Sequence, residues 1–423
     1  MTPSGKCYGH GHAHPASYAA SLEGVDFEKM WRELAPVGRY DATGGYRRYA
    51  YTPAELECRA WFREQAVQRG LDVETDRNGN MWAWWGDPSA GGAIATGSHL
   101  DSVPDGGAYD GPLGVVSAFA AIDLLRANGF TPSRPIAVAA FAEEEGARFG
   151  IACLGSRLLA GAITPEAARA LKDDDGVTFA DAMSAAGFDP DGIGEDNERL
   201  SRISAYVELH IEQGRAQIDM DAPVAVGTSI WPHGRWRMEF TGRADHAGTT
   251  RLDDRADPML TYANTVLAAR KKARLAGAVA TVGRIACEPN GTNAIPSRVR
   301  AWLDARATEL SALDETLDGL KEATLARAER DGTEVSFTQE SYSPEVIFDA
   351  DLRQRVSRAV GSPMELSTGA GHDAGVLSAR MPTAMLFVRN PTGISHAPNE
   401  FAHMDDCITG AHALADALKE LAT

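Results

Sequence analysis

The chain has 423 residues, enough for a large core and for two domains. Its 41 Lys and Arg against 59 Asp and Glu leave a net charge of −18, which speaks against nucleic acid or an anionic membrane surface as partner and for a small molecule or a metal. The five cysteines (Cys7, Cys58, Cys153, Cys287, Cys407) are scattered and never form a Cys-x-x-Cys pair, so neither a disulfide framework nor a structural zinc ribbon is indicated, and with no signal-like or membrane-spanning apolar run a cytoplasmic protein is expected.

Residues 1–20 are polar, with His10, His12 and His14 in alternation. Such a tract can bind metal, but its composition favours a disordered tail. Leu56, Ala60, Arg63 and Val67 then mark a helix that Gly70 ends. Trp82, Trp84 and Trp85 fit a strand packed on both faces better than a binding platform. The apolar run Ala93-Ile-Ala-Thr predicts a buried parallel strand with His99 at its carboxyl end, where open α/β sheets place their sites. A helix beginning behind Gly111-Pro112 carries Val115, Phe119 and Ile122 on one face and leaves Asp110 in the loop at its start. Ile136-Ala-Val-Ala-Ala-Phe is a second such strand, and Glu144 and Glu145 follow it.

Near Val224 the pattern changes. Arg235-Trp-Arg-Met-Glu-Phe-Thr alternates polar with apolar, as a half-exposed antiparallel strand does. A helix (258–275), strands (278–286 and 297–305), a helix (309–330) and a strand (334–339) follow. The order βαββαβ predicts a ferredoxin-like α+β domain over 225–342, inserted into a larger α/β domain made of 21–224 and 343–423. The larger domain resumes with a helix (351–360), a strand (383–388) and a closing helix from about Asp406.

The chemistry lies in His-x-Asp (His99 to Asp101), in Asp110 eleven residues after that histidine, and in Glu144-Glu145 after a buried strand. His210, in Val207-Glu-Leu-His-Ile-Glu-Gln-Gly, and His396, in Gly393-Ile-Ser-His-Ala-Pro, complete a set of imidazoles and carboxylates at strand or loop ends. Any one of these histidines alone also suits a surface or core position. Together they offer what a two-metal hydrolase needs: a bridging carboxylate, terminal ligands and a nearby base. Adjacent residues leaving a strand point in different directions, so of Glu144 and Glu145 one can bind a metal while the other acts as base. No Gly-x-Ser-x-Gly elbow, His-Glu-x-x-His helix, Walker loop or Gly-x-Gly-x-x-Gly fingerprint occurs.

On these motifs the chain, from about Trp31 onward, resembles the amidase (hydantoinase and carbamoylase) branch of the M20 metallopeptidase family. The resemblance implies a mixed-sheet catalytic domain with an inserted lid or dimerisation domain, two divalent ions per subunit (manganese, zinc, cobalt or nickel), a homodimer and a small ureido acid as substrate. His99, Asp110 and His210 would hold one metal. Asp110, Glu145 and His396 would hold the other, with Glu144 as general base. His210 stands where peptidase branches carry an acidic residue, which favours the carbamoylase branch. His246, in Gly242-Arg-Ala-Asp-His-Ala-Gly-Thr-Thr, would stabilise the oxyanion in a neighbouring subunit's site. Asn293 and Arg306 suit a substrate carboxylate, although Arg306 equally suits an ion pair with Asp304 or Glu309. Gln213 would bond the ureido group. Gly371 and His372, in Gly369-Ala-Gly-His-Asp-Ala, would line the pocket, unless His372 and Asp373 only brace His396. The expected reaction is hydrolysis of the ureido C–N bond of an N-carbamoyl-L-amino acid or of allantoate, releasing ammonia and carbon dioxide. An aminopeptidase or dipeptidase of the same fold, and a catalytically inactive binding protein, are the alternatives.

Overall fold

The computed structural model describes residues 27–423. The histidines at 10, 12 and 14 lie outside the described residues. A nine-stranded mixed sheet organises most of the chain. Its centre is four parallel strands in the spatial order Ile136–Phe141, Ala93–His99, Ile203–Ile211 and Thr383–Val388. Nearly every residue of these strands is buried, because helices cover both faces and leave no polar side for alternation to mark.

On one flank Met81–Trp85 and then Asp72–Thr75 add antiparallel, and on the other Val224–Ile230 does so. Met364–Thr368 and Val346–Ile347 both pair with Val224–Ile230. Trp82 and Trp84 face one core and Met81 and Ala83 the other, so this strand does pack on both faces.

Two helices bury residues beyond those that mark them in the sequence. In Pro53–Gln68 the positions 56, 60, 63 and 67 do not point inward. Cys58, Trp61, Phe62 and Ala66 do, while Val67 is 67% exposed. The buried face also holds the ion pair Glu55–Arg59 at 2.5 Å, and these charges mask its apolar character in the sequence. Helix Pro112–Ala127 has no solvent face to speak of, since thirteen of its sixteen residues are buried. It is sandwiched between the sheet and helix Met404–Leu421. Among the described residues, no helix is long and apolar enough to cross a membrane.

The second body is a four-stranded antiparallel sheet in the order Glu334–Ser343, His233–Thr241, Arg298–Ala307, Ala278–Glu288. In chain order this is 4-1-3-2 of a βαββαβ unit. Residues 234, 236, 238 and 240 alternate with exposed or half-buried neighbours, and their buried side packs on helices Pro258–Ala276 and Leu310–Asp331. The four-stranded unit starts later than the change in pattern at 225 suggests. Val224–Ile230 belongs to the large sheet through its ladder with Thr383–Val388, and the new sheet begins at His233. Ile230 faces Val346 in an antiparallel pair, so the chain leaves and re-enters the large sheet on adjacent strands.

Candidate metal centre

Parallel packing brings the carboxyl ends of the central strands together. His99 ends one strand, His210 lies one residue before the end of its neighbour, and Glu144 and Glu145 follow a third. Asp110 reaches the same place from the loop before helix Pro112–Ala127. Gly111 there has φ 85°, and a Cβ on it would stand 2.4 Å from the His99 ring, so only glycine lets the Asp110 loop pass this closely. His396 comes from the loop after the last strand. It has the left-handed φ of 56° and its side chain is 52% exposed. A non-glycine residue in that region is costly and needs the surrounding loop to hold it.

Three candidate donor groups lie here: His99, Asp110 and His210, then Asp110, Glu145 and His396, which share Asp110, and a third, Glu208, His210 and His372, which shares His210 with the first. Asp110 Oδ1 lies 3.2 Å from His210 Nε2 and 3.7 Å from His99 Nε2. Its Oδ2 lies 3.4 Å from His396 Nε2, which is 3.6 Å from Glu145 Oε2. His210 Nε2 and Glu145 Oε1 are buried without a hydrogen-bond partner. Donors held about 2.0–2.2 Å from one ion in a tetrahedral arrangement stand roughly 3.3–3.6 Å apart. Donor atoms at this separation, with His210 Nε2 and one Glu145 oxygen left without a partner, fit shared ions.

The electrostatics point the same way. Burial, with the charges of Asp373 and Glu145, pushes the Glu144 carboxyl well above the usual carboxylate range. Burial and the charge of Asp110 do the same to Glu145. Burial also pushes His99 down to about 4. At Asp110 burial is outweighed by His210, His396 and His99, and its carboxyl stays below the ordinary value. Crowded buried carboxylates beside desolvated imidazoles call for positive charge, and divalent cations would supply it.

Glu144 belongs to none of these donor groups. Its Oε2 lies 3.7 Å from His99 Nε2, and its Oε1 accepts from the Cys153 thiol at 3.2 Å. The two glutamates are separated by their backbone: the Asp101 carboxylate accepts the N–H of Glu144 at 3.2 Å and that of Glu145 at 3.1 Å. Glu143, with φ 53°, turns the other way and accepts the N–H groups of Arg148 and Phe149.

The remaining predicted residues are spread out. Gln213 Nε2 donates to Asp110 Oδ2 and to Ser395 Oγ, both at 2.9 Å. His372 is buried with its ring 4.4 Å from that of His210, while Gly371 is exposed. His246 and Asn293 are exposed on the four-stranded body, where the two-residue ladder Asp245–His246 with Ala294–Ile295 ties their loops together. Arg306 lies on that body's open sheet face. It makes a two-pronged bond to Asp304 at 2.7 and 3.0 Å, the ion pair its sequence context also suggested, and donates to the Gly369 carbonyl at 2.7 Å. Among the described residues, neither His246 nor Asn293 joins a donor group.

Sequence reasoning missed Glu400 and Glu208. Glu400 Oε1 accepts the N–H groups of Tyr109 and Asp110 at 3.2 and 3.0 Å, so the His396 loop fastens the Asp110 loop. Glu208 accepts from Ser98 Oγ and from the Ala374 N–H at 2.8 and 2.9 Å, bracing the strand ends behind the site.

Residues 95–420 match the sequence profile of peptidase family M20/M25/M40. The chain is 36% identical over 412 residues to the N-carbamoyl-L-amino acid amidohydrolase of Geobacillus stearothermophilus, covering 94% of this chain and 99% of that one. It is 32% identical over 394 residues to the allantoate amidohydrolase of Escherichia coli (strain K12), covering 90% and 94%. The crystal structure of a hydantoinase/carbamoylase family amidase from Burkholderia vietnamiensis superposes with a TM-score of 0.85 at 30% identity, over 94% of this chain and 98% of that one.

Proposed function

The chain belongs to peptidase family M20/M25/M40, and from that premise we propose that it is a metal-dependent amidohydrolase cleaving the ureido C–N bond of N-carbamoyl-L-amino acids or allantoate, with release of ammonia and carbon dioxide. The observation that carries this reading is the pair of donor groups sharing Asp110, with Glu144 beside them and outside both. His99, Asp110 and His210 would hold one ion and Asp110, Glu145 and His396 the other. Mixed imidazole and carboxylate donors suit manganese, zinc, cobalt or nickel. Divalent ions bound there polarise a carbonyl and lower the pKa of water.

Glu144 takes the proton of the attacking water and returns it to the departing nitrogen. The Cys153 thiol holds one carboxylate oxygen and leaves the other turned toward His99. Arg306 and Asn293 take the substrate carboxylate, Gln213 the ureido group, and His246 the developing oxyanion. Gly371 and His372 line the loop between them. We read the protein as cytoplasmic on its sequence alone. Ammonia release from allantoate, N-carbamoyl-L-amino acids, 3-ureidopropionate and dipeptides tests the reading. Turnover of ureido acids is the expected result, and cleavage of dipeptides alone overturns it.

We further propose that the enzyme works as a homodimer. Strand Ala278–Glu288 is the edge of its sheet, and Leu260, Leu267 and Leu275 are exposed on the helix beside it. An unpaired edge next to apolar side chains favours pairing with a second copy. If His246 serves the neighbouring chain's site, mixing inactive Glu144→Gln protein with inactive His246→Ala protein regenerates activity. Half the dimers are then mixed and each has one intact site, so the ceiling is roughly a quarter of full activity at equal amounts and free exchange. No recovery despite proven exchange removes the shared-site arrangement.

A further inference from the structure

The loop 369–372 lies between two sets of side chains. On one side its His372 ring stands 4.4 Å from that of His210, at the metal donors. On the other side are His233 and Arg306, which face each other across the antiparallel ladder of the four-stranded sheet. Arg306 Nη1 donates to the Gly369 carbonyl at 2.7 Å, and a Cβ on Gly371 would come 3.8 Å from His233 Nε2. His233 therefore flanks the candidate carboxylate anchor and borders the loop that leads to the donors.

The protonation of His233 is fixed by its neighbours. Its Nδ1 lies 2.9 Å from the Trp231 carbonyl. A carbonyl oxygen only accepts, so Nδ1 carries a proton, and in the neutral ring Nε2 then presents a lone pair. Trp231 is itself held, by Nε1 to Ser367 Oγ at 2.8 Å and by its N–H to the Thr368 carbonyl at 2.9 Å. Burial and the nearby Arg306 keep the ring below the usual imidazole pKa and so neutral. Among the described residues, nothing donates to Nε2.

We propose that His233 is a specificity-determining residue, whose Nε2 accepts a hydrogen bond from a second N–H-bearing group on the substrate carbon that carries the carboxylate. This rests on the amidohydrolase reading and on Arg306 as carboxylate anchor. The preferred substrate is then a ureido acid with a second ureido or amide group on that carbon, of which allantoate is the available probe. His233 is half-buried in the free protein; a bound substrate would cover its Nε2, and an N-carbamoyl amino acid with an aliphatic side chain would leave that covered acceptor unpaired, which is what discriminates against a substrate lacking the donor.

The test compares kcat/KM for allantoate and for N-carbamoyl-L-valine in the full-length metal-loaded enzyme and in its His233→Phe and His233→Gln variants. The Phe variant should lose on the order of 10- to 100-fold toward allantoate while staying within about threefold on N-carbamoyl-L-valine, and Gln, whose amide oxygen can still accept, should recover most of the loss. Calorimetric binding of allantoate to Glu144→Gln protein should weaken in the same pattern when His233→Phe is added. An equal loss on both substrates, or a parent enzyme that prefers the aliphatic one, overturns the role of His233 and leaves the amidohydrolase reading standing. If no ureido acid is bound or hydrolysed, that reading falls and this one with it.

Discussion

Replacing Glu144 with Gln is expected to leave folding and metal content intact while lowering kcat by about 10³ or more, because only the proton acceptor is lost. The geometric ground is that Glu144 stands 3.7 Å from His99 of the first donor group and belongs to neither group that shares Asp110. Glu145→Gln should behave differently. Its Oε2 is one of the three donors around His396, so this variant should lose one ion and retain the other. Metal analysis beside steady-state kinetics separates the two glutamates. Equal metal content and equal kinetic losses in both variants would show that the division between base and ligand is wrong.

Asp110→Ala should have the second largest effect: loss of both ions together and of all activity. Asp110 is the one residue common to the two groups, with Oδ1 turned to His99 and His210 and Oδ2 to His396. Chelation of the unaltered protein should likewise abolish turnover, and divalent manganese, cobalt, nickel or zinc should restore it. Retention of one tightly bound ion by the Asp110→Ala protein would mean that the groups are independent and that the carboxylate does not bridge them. Full turnover in rigorously metal-free protein would end the metal-dependent reading altogether.

The gathering of His99, Asp110, Glu144, Glu145, His210 and His396 at one place was legible in the sequence, because each follows or interrupts a conspicuous signal: an apolar strand, a Gly-Pro helix start, or a short motif at a strand end. The four-stranded body was legible because its strands alternate and its helices are long. The residues that support the donors were not. Glu400 acts on backbone groups 290 and 291 positions away, and Glu208 is a fully buried acid within a buried strand. A carboxylate that accepts backbone N–H groups across such distances leaves no periodicity and no spacing to read. The helix Pro53–Gln68 was legible but its buried face was not, for a related reason, since its buried Glu55–Arg59 pair looks like surface until the fold encloses it. The start of the inserted body was placed early because Val224–Ile230, though it follows the change in pattern, is claimed by Thr383–Val388 in the large sheet.

The pairing of Ile230 with Val346 has a mechanical meaning. Both covalent connections to the four-stranded body leave the large sheet side by side, through Trp231-Pro232 on the way out and Ser343-Pro344 on the way back. A body fastened along one short line is attached like a door on its jamb: such an attachment constrains sliding along the line more than turning about it. The prolines stiffen both attachments by fixing φ and removing a backbone donor. His246 and Asn293 lie on loops at the far end of the four-stranded sheet, whereas the strand end that carries Arg306 is tied to the jamb by the Ala307 N–H on the Pro232 carbonyl. Arg306, the proposed carboxylate anchor, therefore sits at the firmly held end of this body, and the loops of His246 and Asn293 at its free end.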